Sequence, residues 1–313
     1  MRPGRGRRRA AAGRLAAIMA RTDTPHTTGP RMRMPAAVAA ALACPACGNG
    51  LDPVERGLSC GAGHSFNVAR EGYASLLTGA TPPGTGDSRE MVADRLRFQE
   101  AGHHDPISDA LVNALARELT APAPLVADIG GGTGRHLTRV LEALPHAVGL
   151  TADASKFAAR KAARAHERGG AVTADAWRGL PLRGGSADAL LNVFAPRNAA
   201  EFHRVLRADG VLLVLVPAAD HLAELRGPLG LLEVDPRKDE RLADSLHGHF
   251  APAGAEDLRF TMDLDRADAA TVVGMGPSAR HVDAGDLRAR IAALPEPAAV
   301  TASVRLHVYR PLR

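Results

Sequence analysis

All three cysteines of this 313-residue chain fall within 17 positions. They run Cys44-Pro-Ala-Cys47, then twelve residues, then Cys60-Gly-Ala-Gly-His64, so that a histidine completes a set of four. A CxxC turn lets two sulfurs reach one ion while a second knuckle supplies the other pair, and tetrahedral Zn²⁺ takes this thiolate and imidazole donor set. A segment built this way folds around its metal. The competing readings are free thiols, or a disulfide with one cysteine left over. The disulfide needs an oxidising compartment, and no signal peptide with an apolar core precedes the cluster. Four protein ligands leave no open coordination position, which makes the site structural rather than catalytic.

The length suits two domains at roughly 150 residues each. No apolar run approaches the roughly 18 residues of a membrane span, so the reading is a soluble, cytoplasmic protein without a membrane partner. Arginine outnumbers lysine 36 to 3, a bias of GC-rich coding that lowers the weight of any single arginine. The pI near 9.6 points to a polyanion. Yet residues 1–37 hold nine arginines and one acid, Asp23, and so carry +8 of the net +5, leaving −3 for the rest. That arm has no periodic apolar face and reads as disordered. An RNA-binding arm and an upstream extension, with Met19, Met32 and Met34 as alternative starts, fit it equally.

A strand and a glycine-rich turn follow in Val126-Ala-Asp128-Ile-Gly130-Gly-Gly132-Thr-Gly134, and Arg135 to Leu144 continues as an amphipathic helix. Glycines there let the backbone approach a ligand closely because no Cβ intervenes. The spacing, with an acid at Asp128, resembles the first motif of class I S-adenosylmethionine (SAM) methyltransferases. A second strand ends at Asp153, placed to accept the ribose hydroxyls of an adenosine; the competing reading is a helix cap before Ser155. A third strand, Gly170 to Trp177, offers Asp175 to an adenine amino group or, more simply, to a turn. A fourth, Asp188 to Phe194, runs into Ala195-Pro196-Arg197-Asn198 and brings Asn192 to the crevice where open α/β sheets bind ligands. The apolar run Gly210 to Pro217 is a central parallel strand, and Asp220-His221 begins a helix at the same edge. Helices are predicted at about 198–208, 236–249, 266–274 and 284–294. Strands are predicted over Leu258–Leu264 and Val300–Tyr309, the last as an edge-side antiparallel partner.

The order of parts is specific: CxxC…CxxxH, then Arg70-Glu-Gly-Tyr73, then Asp87-Ser-Arg-Glu-Met91, then Ala101-Gly-His103, then a SAM-type sheet. It resembles the ribosomal RNA large-subunit guanine-N1 methyltransferases of the RlmA family, from about residue 42 to the C-terminus. Asn192-Val-Phe-Ala-Pro-Arg-Asn198, Asp220-His-Leu-Ala-Glu-Leu225 and Met275-Gly-Pro-Ser278 look closest to the actinobacterial branch with tylosin and mycinamicin resistance enzymes. The resemblance implies an α/β, class I SAM-dependent methyltransferase fold, a Rossmann-like seven-stranded sheet, with a small N-terminal zinc-binding module. It implies methylation at N1 of a guanine in a 23S rRNA hairpin loop near the macrolide site, with SAM and Zn²⁺ as cofactors. It places zinc on Cys44, Cys47, Cys60 and His64. Cofactor contacts fall at His104, where relatives often carry Tyr, at the turn through His136 and Leu137, and at His221. With the acids and glycines above, the cofactor set is His104, Asp128, Gly130, Gly132, Gly134, His136, Leu137, Asp153, Asp175, Asn192 and His221.

The expected division is a basic arm at 1–37, a zinc module at 38–80, a linker with helices at 81–120, and the methyltransferase domain at 121–313. Guanine N1 carries a proton at neutral pH, so a proton acceptor helps its methylation; His221, acids near the crevice and, as a positioning group, Asn192 are the candidates. Phe66, Tyr73, Trp177 and Phe194 are candidates for base stacking, and the zinc module is read as an RNA-docking attachment. A homodimer also fits the resemblance. A small-molecule SAM methyltransferase with a zinc lid is the alternative enzyme, and a zinc-ribbon binding protein without catalysis is the non-enzyme alternative.

Overall fold

The computed structural model of the chain describes residues 1, 32–79, 86–235, 237–276 and 284–313. The basic arm, apart from its last residues, lies outside the described residues, as do the centre of the Pro/Gly linker and Pro277-Ser278. Order is present before the expected boundary at residue 37. Met32 and Met34 lean on the main apolar core, and a short helix, α1 (Ala36–Ala40), buries Val38 completely.

The zinc segment folds as a three-stranded antiparallel ribbon, β1 (Asp52–Val54), β2 (Gly57–Ser59) and β3 (Ser65–Asn67). Such small strands bury little apolar surface, and metal knuckles compensate for that. The chain then leaves the ribbon as β4 (Ala74–Ser75). Two helices follow, α2 (Arg89–Glu100) and α3 (Asp105–Glu118). Ser88 caps α2 by accepting the Met91 N–H at 3.2 Å, the ordinary N-cap geometry.

From there strands and helices alternate: β5 (Leu125–Ile129), α4 (Arg135–Ala143), β6 (Val148–Asp153), α5 (Lys156–Ala162), β7 (Gly169–Thr173), β8 (Ala187–Val193), α6 (Ala199–Val205) and β9 (Leu206–Pro217). The last third is α7 (Ala223–Leu229), α8 (Lys238–Leu246), β10 (Phe250–Leu264), α9 (Arg266–Gly274), α10 (Ala284–Ala292) and β11 (Ala298–Pro311). One sheet takes the order β10-β11-β9-β8-β5-β6-β7-β4. Every neighbouring pair from β9 through β4 is parallel, and β11 runs antiparallel to both β9 and β10. This is the class I methyltransferase sheet.

Two departures from the sequence reading have physical causes. The sheet has eight strands rather than seven, because β4 from the zinc segment pairs with β7 and covers an edge that would otherwise stay open. The antiparallel β11 is not at the edge: β10, longer than its apolar run suggested, flanks it. Beyond buried Phe250, the N-terminal half of β10 is largely exposed and carries no core pattern to betray its extent.

Apolar packing joins what the sequence divides. One core cluster contains Cys44, Leu51, Leu58 and Cys60 of the ribbon together with Ile129, Leu150 and Leu190 of the sheet. Strand order reverses at β5, which sends its neighbours β6 and β8 to helices on opposite faces and opens a crevice at the carboxyl ends of these strands. Over this crevice α2 packs against α9, and its fully buried Phe98 joins the apolar cluster that also holds residues of α7 and α10. Truncation of such a ring leaves a cavity: Phe98→Ala is expected to lower the unfolding free energy by about 3–5 kcal/mol, read from urea denaturation.

Candidate active site and metal centre

Two knuckles set the metal centre. Cys47 Sγ lies 3.7 Å from Cys60 Sγ, Cys60 Sγ 3.4 Å from His64 Nδ1, and Cys44 Sγ 3.7 Å from the same nitrogen. Zn–S bonds of ~2.3 Å and Zn–N bonds of ~2.0 Å disposed tetrahedrally give edges of ~3.5–3.8 Å, so these atoms fit one zinc ion. All four ligand atoms lie within 4.8 Å of one another. Burial opposes ionisation of Cys60, but hydrogen bonding from the His64 backbone and ring outweighs it and brings the thiol down to about 6. Cys44 and Cys60 are buried while Cys47 and His64 face outward.

The cofactor turn follows from backbone conformation. Gly130, Gly132 and Gly134 have φ of 73°, 58° and 78°, a left-handed region that favours glycine. Gly131 is constrained differently: a Cβ there would stand 2.4 Å from the Asp128 carboxylate beneath it. Asp153 organises the turn. Its Oδ2 accepts the Gly132 N–H at 2.9 Å and its Oδ1 the Ser155 N–H at 2.7 Å. Ser155 in turn caps α5 and donates its hydroxyl to the Asp87 carbonyl at 2.7 Å. Asp87 accepts from Arg95 of α2 at 2.6 Å, and Gln99 of α2 accepts the Thr133 hydroxyl at 2.6 Å. The connector is therefore a cap clamped to the glycine turn.

Two adjoining cavities open at this turn. The smaller, about 180 Å³, is lined by Gly130, Asp153, Asp175 and Trp177 among others. The larger, about 400 Å³, is lined by His104, Gly130, Gly131, His136 and His221, with Arg95, Arg197, Arg226 and Lys238. Phe194 lines both. It sits between His104 and His221, with centroids 6.2 and 5.8 Å away. Its φ of 52° and that of Leu222, 57°, are the positive values of non-glycine residues among the described ones, and both residues line the larger cavity. Such backbone strain gathers at functional sites.

The acids are held out of water. Burial, then the nearby Asp153 charge, raises Asp128 to about 7, and neither of its oxygens has a hydrogen-bond partner. Burial also raises Asp153, against its two N–H bonds. The histidines are neutral: burial and then neighbouring cations bring His136 and His221 to about 4, and burial takes His104 well below its usual range. His221 Nδ1 accepts the Ser303 N–H at 3.2 Å. A neutral ring fixed in that way carries its proton on Nε2 and offers a donor, not a proton acceptor, on its other edge. This argues against the general-base role considered for His221.

Not every expected contact reaches a cavity. The Leu137 side chain belongs to the core and abuts Gly149, which leaves its backbone as the part near the turn. Asn192 is fully buried; its Nδ2 donates to the Pro196 carbonyl at 2.9 Å and approaches that of Ile129 at 3.4 Å, so it braces β8 and the loop that follows. Asp175 accepts the Trp177 N–H at 3.0 Å, the turn role, while also lining the smaller cavity. Of the stacking candidates, Tyr73 is buried in the core and withdrawn, while Trp177 is 65% exposed. Sequence reasoning passed over Gly131, Arg95, Gln99, Arg197 and Lys238. Arg197 had a signal, since it follows the strand end beside Asn192. Lys238 had none beyond being one of three lysines.

A zinc-ribbon family model described as the N-terminal part of RlmA matches residues 42–79. A 23S rRNA (guanine(748)-N(1))-methyltransferase of Streptomyces fradiae is 49% identical over 272 residues, spanning 87% of this chain and 97% of that one. A Micromonospora griseorubida protein bearing the name 23S rRNA (guanine-N(1)-)-methyltransferase is 53% identical over 288 residues, with the same shares covered. A solved methyltransferase structure from Bacillus halodurans aligns with a TM-score of 0.45 at 14% identity, over 64% of this chain and 97% of its own.

Because the ribbon and the sheet share one core, metal removal is expected to lower the melting temperature of the whole chain as well as release one zinc per chain, measured by calorimetry and elemental analysis. Asp128 allows a signed expectation. Its raised pKa means the apo fold gains stability from the protonated carboxyl, fully present below the unfolded value near 4 and lost as pH rises through about 7. Asp128→Asn is therefore expected to stabilise the apo protein at pH 8 by on the order of 3–4 kcal/mol, with no gain at pH 4, in thermal melts.

Proposed function

This chain belongs to the RlmA family of 23S rRNA (guanine-N1-)-methyltransferases, and from that premise we propose how its parts perform the reaction and where they act. The enzyme transfers a methyl group from SAM to N1 of a guanine in 23S rRNA. The identity extends over nearly the whole length of the relatives, zinc segment included, which supports an RNA substrate over a small molecule. The Streptomyces fradiae relative is named for guanine 748, and the equivalent guanine is the target proposed here, with lowered macrolide susceptibility as the consequence.

Bound SAM supplies an already electrophilic methyl group. The residues present fit it. The smaller cavity takes the adenosine, with Asp153 toward the ribose and Asp175 toward the adenine, and the turn through Gly130–Gly134 passes beside the methionine portion. Asp128, with unpartnered oxygens beneath Gly131, supplies negative charge below a cationic ligand. His104 and His136, which line the larger cavity, bound the site where the two cavities meet at Gly130. The larger cavity, next to the turn and bounded by Phe194, takes the guanine, which must leave its stack to enter. The chief work is then alignment: nucleophile, methyl carbon and sulfur are held in line by the clamped cap and by Asn192 bracing the strand end. The zinc ribbon, with exposed Trp177 near its junction with the sheet, is proposed as the RNA-docking part, in a cytoplasmic enzyme that forms a homodimer.

The observation that carries this reading is the adjacency of two cavities at one glycine turn, one suited to the cofactor and one open to a base. An N1-methyl blocks the Watson–Crick edge, so reverse transcription of treated, deproteinised 23S rRNA is expected to stop one nucleotide before the target. Label from SAM should appear in that RNA. Absence of both would overturn the proposal.

A further inference from the structure

The larger cavity has an unusual charge distribution. Among the described residues it is lined by Arg95, Arg197, Arg226 and Lys238, by His104, His136 and His221, and by no carboxylate. Two of the cations are spoken for: Arg95 pairs with Asp87 at 2.6 Å and Arg226 with Glu233 at 3.0 Å. Arg197 and Lys238 have no ion pair among the described residues, although both are partly withdrawn from water and lie within each other's field. Cations placed together in this way await an anion.

The groups facing them come from every neighbouring element. Tyr309 of β11 faces Arg197, Asp235 faces Lys238 from the preceding loop, and His221 and Arg226 bound the same space from the segment around α7. Burial, then the Arg197 charge, pushes Lys238 below its ordinary value, while burial does the same to Arg197. His221, neutral like Tyr309 among them, presents N–H rather than a lone pair. No carboxylate stands among the described lining to accept a proton, burial holds the His104 and His136 rings poor bases, and much is built to receive negative charge.

We propose that Arg197 and Lys238 hold the target guanine as its N1-deprotonated anion, so that methyl transfer proceeds without a carboxylate or histidine base. This rests on the methyltransferase reading above. The N1 proton leaves to water at the cavity mouth, and the resulting charge spreads onto O6, where guanidinium, ammonium and the His221 Nε2–H stabilise it. The N1 lone pair then forms the bond to the methyl carbon while the carbon–sulfur bond breaks with its pair on sulfur. Neutral N1-methylguanine, S-adenosylhomocysteine and one released proton result.

The test is the pH dependence of single-turnover methylation of deproteinised 23S rRNA by full-length, zinc-loaded enzyme, with Arg197→Met, Lys238→Met and the charge-keeping Arg197→Lys and Lys238→Arg. Wild-type rate should rise with pH and then level. Each Met variant should displace that rise upward by about one pH unit, a loss of roughly tenfold at neutral pH that alkaline pH restores, and the charge-keeping variants should recover most of it. A second readout needs no turnover: with S-adenosylhomocysteine bound, calorimetry in buffers of different ionisation enthalpy should show protons released on RNA binding by wild type and fewer by the Met variants. SAM affinity unchanged from wild type reports that the variants are folded. Equal loss at every pH, or proton release unaffected by the substitutions, overturns the proposal while leaving the enzyme's activity established. Wild-type enzyme that leaves the RNA unmethylated removes the reading beneath it as well.

Discussion

The carboxylate of Asp153 is the joint on which this active site turns. One of its oxygens fixes the Gly132 N–H and the other the Ser155 N–H, so the glycine turn and the start of α5 cannot move independently. Ser155 passes the constraint to Asp87 and Asp87 passes it to Arg95, which carries it into α2. Charge-assisted hydrogen bonds of this kind are stronger than neutral ones, and in partial burial they are less screened. A segment that looks like a linker in composition thereby becomes the roof of the cofactor crevice. The same carboxylate also has lone pairs to offer a ribose, so the residue that shapes the site is placed to read its ligand.

How much of this is legible in the sequence depends on whether a feature is local. Zinc ligands, the strand–turn–helix at Asp128–Gly134 and the acid-ended β6 are local, because donor chemistry, glycine conformation and apolar runs act over a few residues. Their positions agree closely with the structure, and so does α9, predicted at 266–274 and observed over Arg266–Gly274. What escapes is set by distant partners. β4 is two residues long and exists because β7 needs an edge partner. Half of β10 is exposed and is held by pairing with β11 rather than by burial. Tyr73 reads as an available aromatic until packing against Ala159 and Ala171 hides it. Arg197 and Lys238 are separated by 41 positions, and only tertiary folding brings them to one cavity.

The zinc ribbon changes meaning once the core is seen whole. A four-ligand zinc site says how a small module holds itself together and nothing about attachment. Here Leu42 bridges to Leu182, the Ala43 N–H bonds to the Pro181 carbonyl at 3.0 Å, and β4 enters the main sheet. With Cys44 and Cys60 in the same apolar cluster as Ile129 and Leu150, disturbance at the metal has a packed route to the floor of the cofactor turn. A loosely tethered RNA-docking attachment would show none of these bonds. The ribbon is better understood as an extension of the catalytic body, held at a fixed distance from the crevice.

Charge is sorted across the site in the direction the reaction requires. Asp128 and Asp153 lie beneath and beside the glycine turn proposed to carry the cationic cofactor, and burial, with the Asp153 charge, keeps Asp128 reluctant to ionise alone. A cationic ligand relieves that reluctance, so cofactor binding and ionisation of Asp128 favour each other. The cations Arg197 and Lys238 border the neighbouring cavity instead, where negative charge is needed on the attacking base. Placing the acids under the methyl donor and the cations around the acceptor sets a field along the line of transfer. In a partly dehydrated crevice such fixed charges need no reorganisation as the bond forms. Reversing either set would oppose the binding of its own ligand, which is why a lining without a carboxylate among the described residues of the larger cavity is consistent with function rather than a deficiency of it.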